Sequence, residues 1–139
     1  MRNFMDLRVW QEAHALTLIA YRMTRSFPKD ELYGLTSQIR RSWISIEANL
    51  AEGCGRRSDA ELGRFVQIAM GSASELACHL LVARDLSLVA ASDYQEPHIR
   101  LTRVRRMLTS LLQSIENSSA SRRQAKSQQP RAKSQAAGE

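Results

Sequence analysis

Eight positions in one stretch of this chain step strictly by three and four: Leu62, Phe65, Ala69, Ser72, Leu76, His79, Ala83 and Leu86. Only an α-helix gathers residues at that spacing onto one face, because a turn closes every 3.6 residues. A strand would need alternation by two. The same rule holds elsewhere. Val9, Ala13, Leu16, Ala20, Met23 and Phe27 form an N-terminal stripe; Leu32, Leu35, Ile39, Trp43, Ile46 and Leu50 form a second; Leu101, Val104, Leu108, Leu111 and Ile115 form a last one. Four segments each carry one apolar face, and nothing reads as a strand.

The punctuation between the stripes places the helix ends. Helix one is expected over about Asp6–Ser26, stopped before Pro28, because the residue preceding proline disfavours the helical region. The second is expected to open on Asp30 and Glu31, acids suited to a helix N-terminus, and to close at Gly53 and Gly55. Ser58-Asp59-Ala60-Glu61 fits a capping box for the third. Ser92-Asp93-Tyr94-Gln95 offers another for the fourth, with Pro97 near its first turn. Four helices joined by short connections favour an all-α, antiparallel up-down-up-down four-helix bundle over residues 1–116.

From Asn117 onward the apolar period is gone and Ser, Gln, Ala, Lys, Arg and Pro take over, so residues 117–139 are expected to be a disordered basic tail. Residues 1–116 hold 15 Lys+Arg against 13 Asp+Glu, whereas the remaining 23 hold five against one. No apolar run approaches the roughly 20 residues that span a bilayer, and Met1-Arg2-Asn3-Phe4-Met5-Asp6 leads straight into amphipathic sequence without a signal-peptide core. A cytoplasmic protein with no membrane partner is expected.

Catalysis requires a nucleophile, a base and an orienting group together. The three histidines, His14, His79 and His98, fall in separate elements and in no recognisable motif, and no phosphate-binding glycine loop follows a strand. Carboxylate-bridged metal pairs in bundles use Glu-x-x-His. Glu75 and His79 are four apart and Glu12 and His14 two apart, so neither fits. Cys54 and Cys78 lack the spacing of a zinc or redox pair and read as small buried hydrophobes. The expectation is a protein without enzymatic activity, catalytic residues, metal or cofactor.

Binding is better represented. Arginine outnumbers lysine 17 to 3, and its planar fork suits bidentate contact with phosphate. Arg40 and Arg41 lie in the second helix, while Arg56, Arg57 and Arg64 surround the start of the third; Arg122 and Arg123 stand in the tail. These are the candidate nucleic-acid contacts, set against the plainer reading of solubilising charges paired with nearby acids. Gln38, Arg41, Ser42, Ser45, Asn49 and Glu52 form a polar stripe that is either a solvated face or, through Gln38, Ser45 and Asn49, a register-setting contact between helices of an oligomer. Gly71 and Ser72 lie mid-helix, where glycine costs about 1 kcal/mol relative to alanine. Close approach of another helix, within the bundle or from a second subunit, would offset that cost. Trp10 and Trp43 complete the candidate contacts, since tryptophan is enriched at interface hot spots.

The run Phe27-Pro28-Lys29-Asp30-Glu31-Leu32-Tyr33-Gly34-Leu35-Thr36-Ser37-Gln38-Ile39-Arg40-Arg41 continues into Ser45-Ile46-Glu47-Ala48-Asn49-Leu50-Ala51-Glu52-Gly53. Ala69-Met70-Gly71-Ser72-Ala73-Ser74-Glu75-Leu76 follows, with Leu7-Arg8-Val9-Trp10-Gln11 ahead of them. Over about residues 4–116 these resemble the bacterial four-helix-bundle family encoded by intervening sequences of 23S ribosomal RNA genes, the so-called S23 ribosomal protein family. They are also similar to the accessory variability proteins of diversity-generating retroelements. The resemblance implies a ring-like homopentamer, a positive channel or face toward RNA or DNA, and, for the retroelement relatives, a reverse transcriptase partner. No enzymatic activity is established for that family. This chain departs from the family pattern at Glu47, where proline is common, and at Trp43, where a small residue is usual. Two functions are therefore carried forward: an oligomeric nucleic-acid-binding scaffold, and a module that docks a protein partner without touching nucleic acid.

Overall fold

A computed structural model describes residues 2–130. Its helices are α1 (Arg8–Thr24), α2 (Leu35–Cys54), α3 (Asp59–Asp85) and α4 (Ala91–Ser127). Short 3-10 turns at Phe4–Asp6 and Lys29–Glu31 precede α1 and α2. Each helix packs on its two sequence neighbours and α1 closes the ring onto α4, which is the antiparallel four-helix bundle that the apolar spacing requires.

The core is built from the anticipated stripes. Leu16, Ile39, Trp43, Ile46, Leu50, Leu76, Leu80 and Leu108 are all but fully enclosed, and each such aliphatic side chain contributes on the order of 1.5–3 kcal/mol by leaving water. On α3 the buried face is wider than one seam. Val66, Ala73 and Leu80 join Leu62, Ala69, Ser72, Leu76 and Ala83, whereas Leu86 is 60% exposed. A helix lodged between α2 and α4 must bury two adjoining stripes.

Several boundaries differ from the sequence expectation for local reasons. Asp30 and Glu31 sit in the 3-10 turn, not in the first turn of α2. Glu31 nonetheless serves α2, since its carboxylate accepts the Leu35 amide at 3.2 Å. The Ser58 cap forms as anticipated, its hydroxyl oxygen accepting the Glu61 amide at 3.1 Å. α4 begins at Ala91 with no side-chain cap, so Ser92 lies inside it, and Pro97 is buried well past its first turn. α3 ends in a Schellman motif: Leu88 donates to the Ala83 carbonyl and Ser87 to that of Arg84, with Ser87 at φ 58°.

The largest correction concerns the C-terminus. α4 crosses residue 116 without interruption and runs to Ser127, so residues 117–127 are helical where composition suggested disorder. Residues 131–139, the rest of the expected tail, lie outside the described residues. α3 is also long and apolar enough to cross a membrane by length and composition, with a mean hydropathy of 1.4 over 18 residues. Its apolar residues are spread through the helix, so no contiguous run betrays this, and one side of it packs against α2 and α4.

Candidate nucleic-acid interface and subunit-contact surface

The arginines singled out in the sequence divide into two groups by their surroundings. Arg40 and Arg41 are engaged within the bundle. Arg40 donates from Nε to the Thr24 hydroxyl at 2.9 Å and lies over the Tyr21 ring, 4.6 Å from its centroid. Arg41 bridges α2 to α3 by donating to Glu75 Oε1 at 2.9 Å, and also reaches Gln38. Both brace neighbouring helices, Arg41 through an acid while staying largely exposed and Arg40 through neutral partners alone.

The remaining five gather at the opposite end of α2. Arg56 and Arg57 lie in the α2–α3 turn, Arg64 in the second turn of α3, and Arg122 and Arg123 near the end of α4. The antiparallel course of α3 and α4 brings them together. Arg122 Nη1 donates to Asp59 Oδ2 at 2.8 Å, and Arg64 and Arg123 line one groove of about 380 Å³. Its floor is made of small residues, Ala60, Gly63 and Ala120, beside Leu112 and Ile115, and two acids line it as well, Glu116 and the Asp59 that Arg122 engages. Arg56 is partly engaged, paired with Glu52 at 2.9 Å and lying over Phe65. Arg57, Arg64 and Arg123 have no ion-pair partner among the described residues.

The serines and Asn49 of the α2 polar stripe turn inward, while Arg41 and Glu52 stay exposed. Ser45 and Ser72 hydroxyls meet at 2.8 Å across the α2–α3 seam, and Asn49 donates to the Ser45 carbonyl at 2.7 Å. Ser42 returns its hydroxyl to the Gln38 carbonyl at 2.7 Å. Of these only the Ser45–Ser72 contact ties α2 to α3; the Asn49 and Ser42 bonds return to the backbone of α2 itself. Trp43, expected at a subunit contact, is wholly enclosed and its indole N–H has no partner among the described residues. It is a core residue, which corrects the expectation. Trp10 is half-buried between Phe4 and a stacked His14, ring centroids 4.9 Å apart in both pairs.

Gly71 is different. It is exposed, and a Cβ built there meets nothing within 4 Å, so packing within the bundle does not demand glycine. It lies on an outer face of α3 with Ile68, Leu81 and Val82, each about 40% exposed, and with Cys78. Cys78 is exposed, against the expectation of a buried thiol, while Cys54 is buried. Burial pushes the Cys54 thiol pKa up, against a smaller lowering by the Arg2 guanidinium.

Two further clusters stand outside the candidate sites, the first of them invisible in sequence because it joins distant elements. His14 Nδ1 meets Glu47 Oε2 at 2.7 Å, and the Thr17 hydroxyl donates to Glu47 Oε1 at 3.0 Å. Glu47, the departure from the family pattern, is thereby a polar clasp between α1 and α2. The other is the outer face of α4, where Arg103, Arg105 and Arg106 stand without an acid on their own helix between Glu96 and Glu116. No group of three His, Cys, Asp or Glu side chains that could hold a metal ion occurs among the described residues.

An antiparallel four-helix bundle places the protein in the class of small all-α bundle proteins. The family model of the 23S rRNA-intervening sequence protein matches residues 5–110, and the chain belongs to that family. Among solved structures it is similar to a protein of unknown function from the S23 ribosomal protein family of Bacteroides thetaiotaomicron VPI-5482. The TM-score is 0.68 at 20% identity, over 75% of this chain and 97% of that one. No curated protein matches the sequence.

Proposed function

We propose that this protein is a non-enzymatic, cytoplasmic oligomeric scaffold that binds RNA or DNA through the arginine-rich end formed by the α2–α3 turn, the start of α3 and the end of α4. The observation that carries the reading is the groove shared by Arg64 and Arg123. Residues 59 positions apart in sequence, neither with an ion-pair partner among the described residues, frame one concave surface near the turn that carries Arg56 and Arg57. Phosphate contacts of this kind are largely independent of sequence and weaken steeply with salt, because bound counterions are released. The aromatic ring at this end, Phe65, lies under the Arg56 guanidinium, which agrees with backbone rather than base recognition.

In this reading copies of the chain associate through the outer face of α3. An exposed mid-helix glycine flanked by Ile68, Leu81 and Val82 is the arrangement that lets a second helix approach closely. A homopentamer and a likeness to the accessory proteins of diversity-generating retroelements belong to the same proposal. The same exposed face supports the second reading, a module docking a protein such as a reverse transcriptase.

The test is RNA and DNA binding by the full chain across a salt series, compared with the Arg64→Glu/Arg123→Glu double variant, with native mass spectrometry reporting assembly. Submicromolar binding that falls with salt and is lost in the variant supports the proposal. Absence of binding by an assembled wild-type protein removes it in favour of the protein-docking module.

A further inference from the structure

The seam where the N-terminal turn of α1 meets the middle of α4 holds a second groove, distinct from the arginine-rich end. Its volume is about 380 Å³, within the roughly 300–1,000 Å³ of ligand clefts. The floor is apolar: Leu7, Val9, Met107 and Leu111, of which Val9 is buried and the others are half-buried against the core. The rim is cationic, formed by Arg8 from α1 and by Arg103 and Arg106 from α4. The nearest compensation is a loose pair, Arg103 Nη1 to Glu12 Oε2 at 3.9 Å. Arg8 and Arg106 have no ion-pair partner among the described residues. The surface continues along α4 past Thr102, Arg105 and Thr109, and from Pro97 through Ile115 that helix carries no acid at all.

We infer that this groove is a docking site for an acidic amphipathic helix of a partner protein. The shape favours a rod. From Thr102 to Leu111 the surface follows about two and a half turns of α4, on the order of 14 Å at 1.5 Å per residue. Arg103 and Arg106 are three apart and Met107 and Leu111 four apart, so cations and apolar contacts run along α4 as two adjoining rows. A helix laid beside them meets the floor with its apolar stripe and the rim with its acids, the usual arrangement of a helix in a groove. Nucleic acid fits less well, because four aliphatic side chains offer a phosphate backbone nothing and offer a base no aromatic face. A cationic segment would be repelled by three guanidinium groups.

The experiment is fluorescence anisotropy of a labelled helical peptide of about 18 residues, with leucines on one stripe and glutamates elsewhere, titrated with the full-length protein. Two control peptides replace every glutamate by glutamine or by lysine. The proposal expects saturable binding of the glutamate peptide, weaker binding of the glutamine peptide and none of the lysine peptide. Arg103→Glu/Arg106→Glu should lower the affinity about tenfold or more, the scale of reversing charges at a complementary rim. Met107→Gln should weaken it through the floor alone, which keeps the test independent of the charge reversal. Binding that is absent, indifferent to peptide charge, or unchanged in both variants overturns the proposal. So does RNA that competes for the same groove and loses affinity in the Arg103→Glu/Arg106→Glu protein. Arg64→Glu/Arg123→Glu should leave peptide binding intact, so failure here and failure of the nucleic-acid reading are separately visible.

Discussion

Arg122 and Asp59, 63 residues apart in sequence, are joined by a 2.8 Å hydrogen bond between the end of α4 and the first turn of α3. The guanidinium is largely exposed and the carboxylate largely covered, at 71% and 18%. The bond fastens the last turns of α4 to the bundle. An exposed ion pair is worth only about 0–1 kcal/mol, so Arg122→Ala should barely move the global unfolding midpoint. It should instead speed amide hydrogen exchange over residues 117–127, with exchange in α2 unchanged. Equal protection in both proteins would show that the pair does not hold the helix end.

Trp43 combines complete burial with an unpartnered indole N–H. Truncation to alanine should destabilise by about 3–5 kcal/mol through the cavity it leaves. Trp43→Phe removes the unsatisfied donor as well as part of the ring, and leaving such a donor buried costs about 1–3 kcal/mol. Its net loss should therefore be well under half that of the alanine variant. Urea unfolding of the two variants checks the ratio.

Two helical glycines should respond to alanine in opposite directions. At Gly53 the added Cβ would come within 2.8 Å of Phe65 Cβ and 3.0 Å of Leu62 Cδ1, forcing α2 away from α3 at a cost of about 1–3 kcal/mol. At Gly71 it meets open space, so Gly71→Ala should stabilise the isolated chain by about 0.5–1 kcal/mol. If copies meet on this face, the same change weakens assembly. Thermal unfolding and native mass measured together separate the two effects.

Ser87 holds the left-handed position that closes α3, at φ 58°. Left-handed geometry costs an L-residue about 1–2 kcal/mol. Ser87→Gly should raise stability by about 1 kcal/mol, read as a higher denaturation midpoint at unchanged slope.

The two thiols should react at very different rates. Cys78 is open to solvent, whereas Cys54 is buried with its pKa raised by desolvation, and only a thiolate attacks a disulfide reagent. At pH 8 a colourimetric disulfide reagent should titrate one thiol per chain promptly and the second only after unfolding. Prompt release from both would mean that the end of α2 opens readily.

The bundle was legible because its cause is local and periodic. Ile39, Trp43, Ile46 and Leu50 announce a buried face by spacing alone, and the Ser58 cap and the Gly55 stop by residue type. What escaped depended on partners distant in sequence. Nothing in the composition of residues 117–127 tells that Arg122 finds Asp59, or that Leu112 and Ile115 continue a seam that carries the helix onward. The polar stripe of α2 is visible as a stripe, but that Ser45 meets Ser72 follows from how α2 and α3 are rotated. Likewise the sequence counts seventeen arginines without distinguishing those that brace helices from those left without an acid partner. Helical periodicity is written along the chain. Charge compensation is a property of distance in three dimensions, so only the folded bundle decides that Arg41 finds Glu75 across the α2–α3 seam while Arg64 and Arg123 frame a common groove.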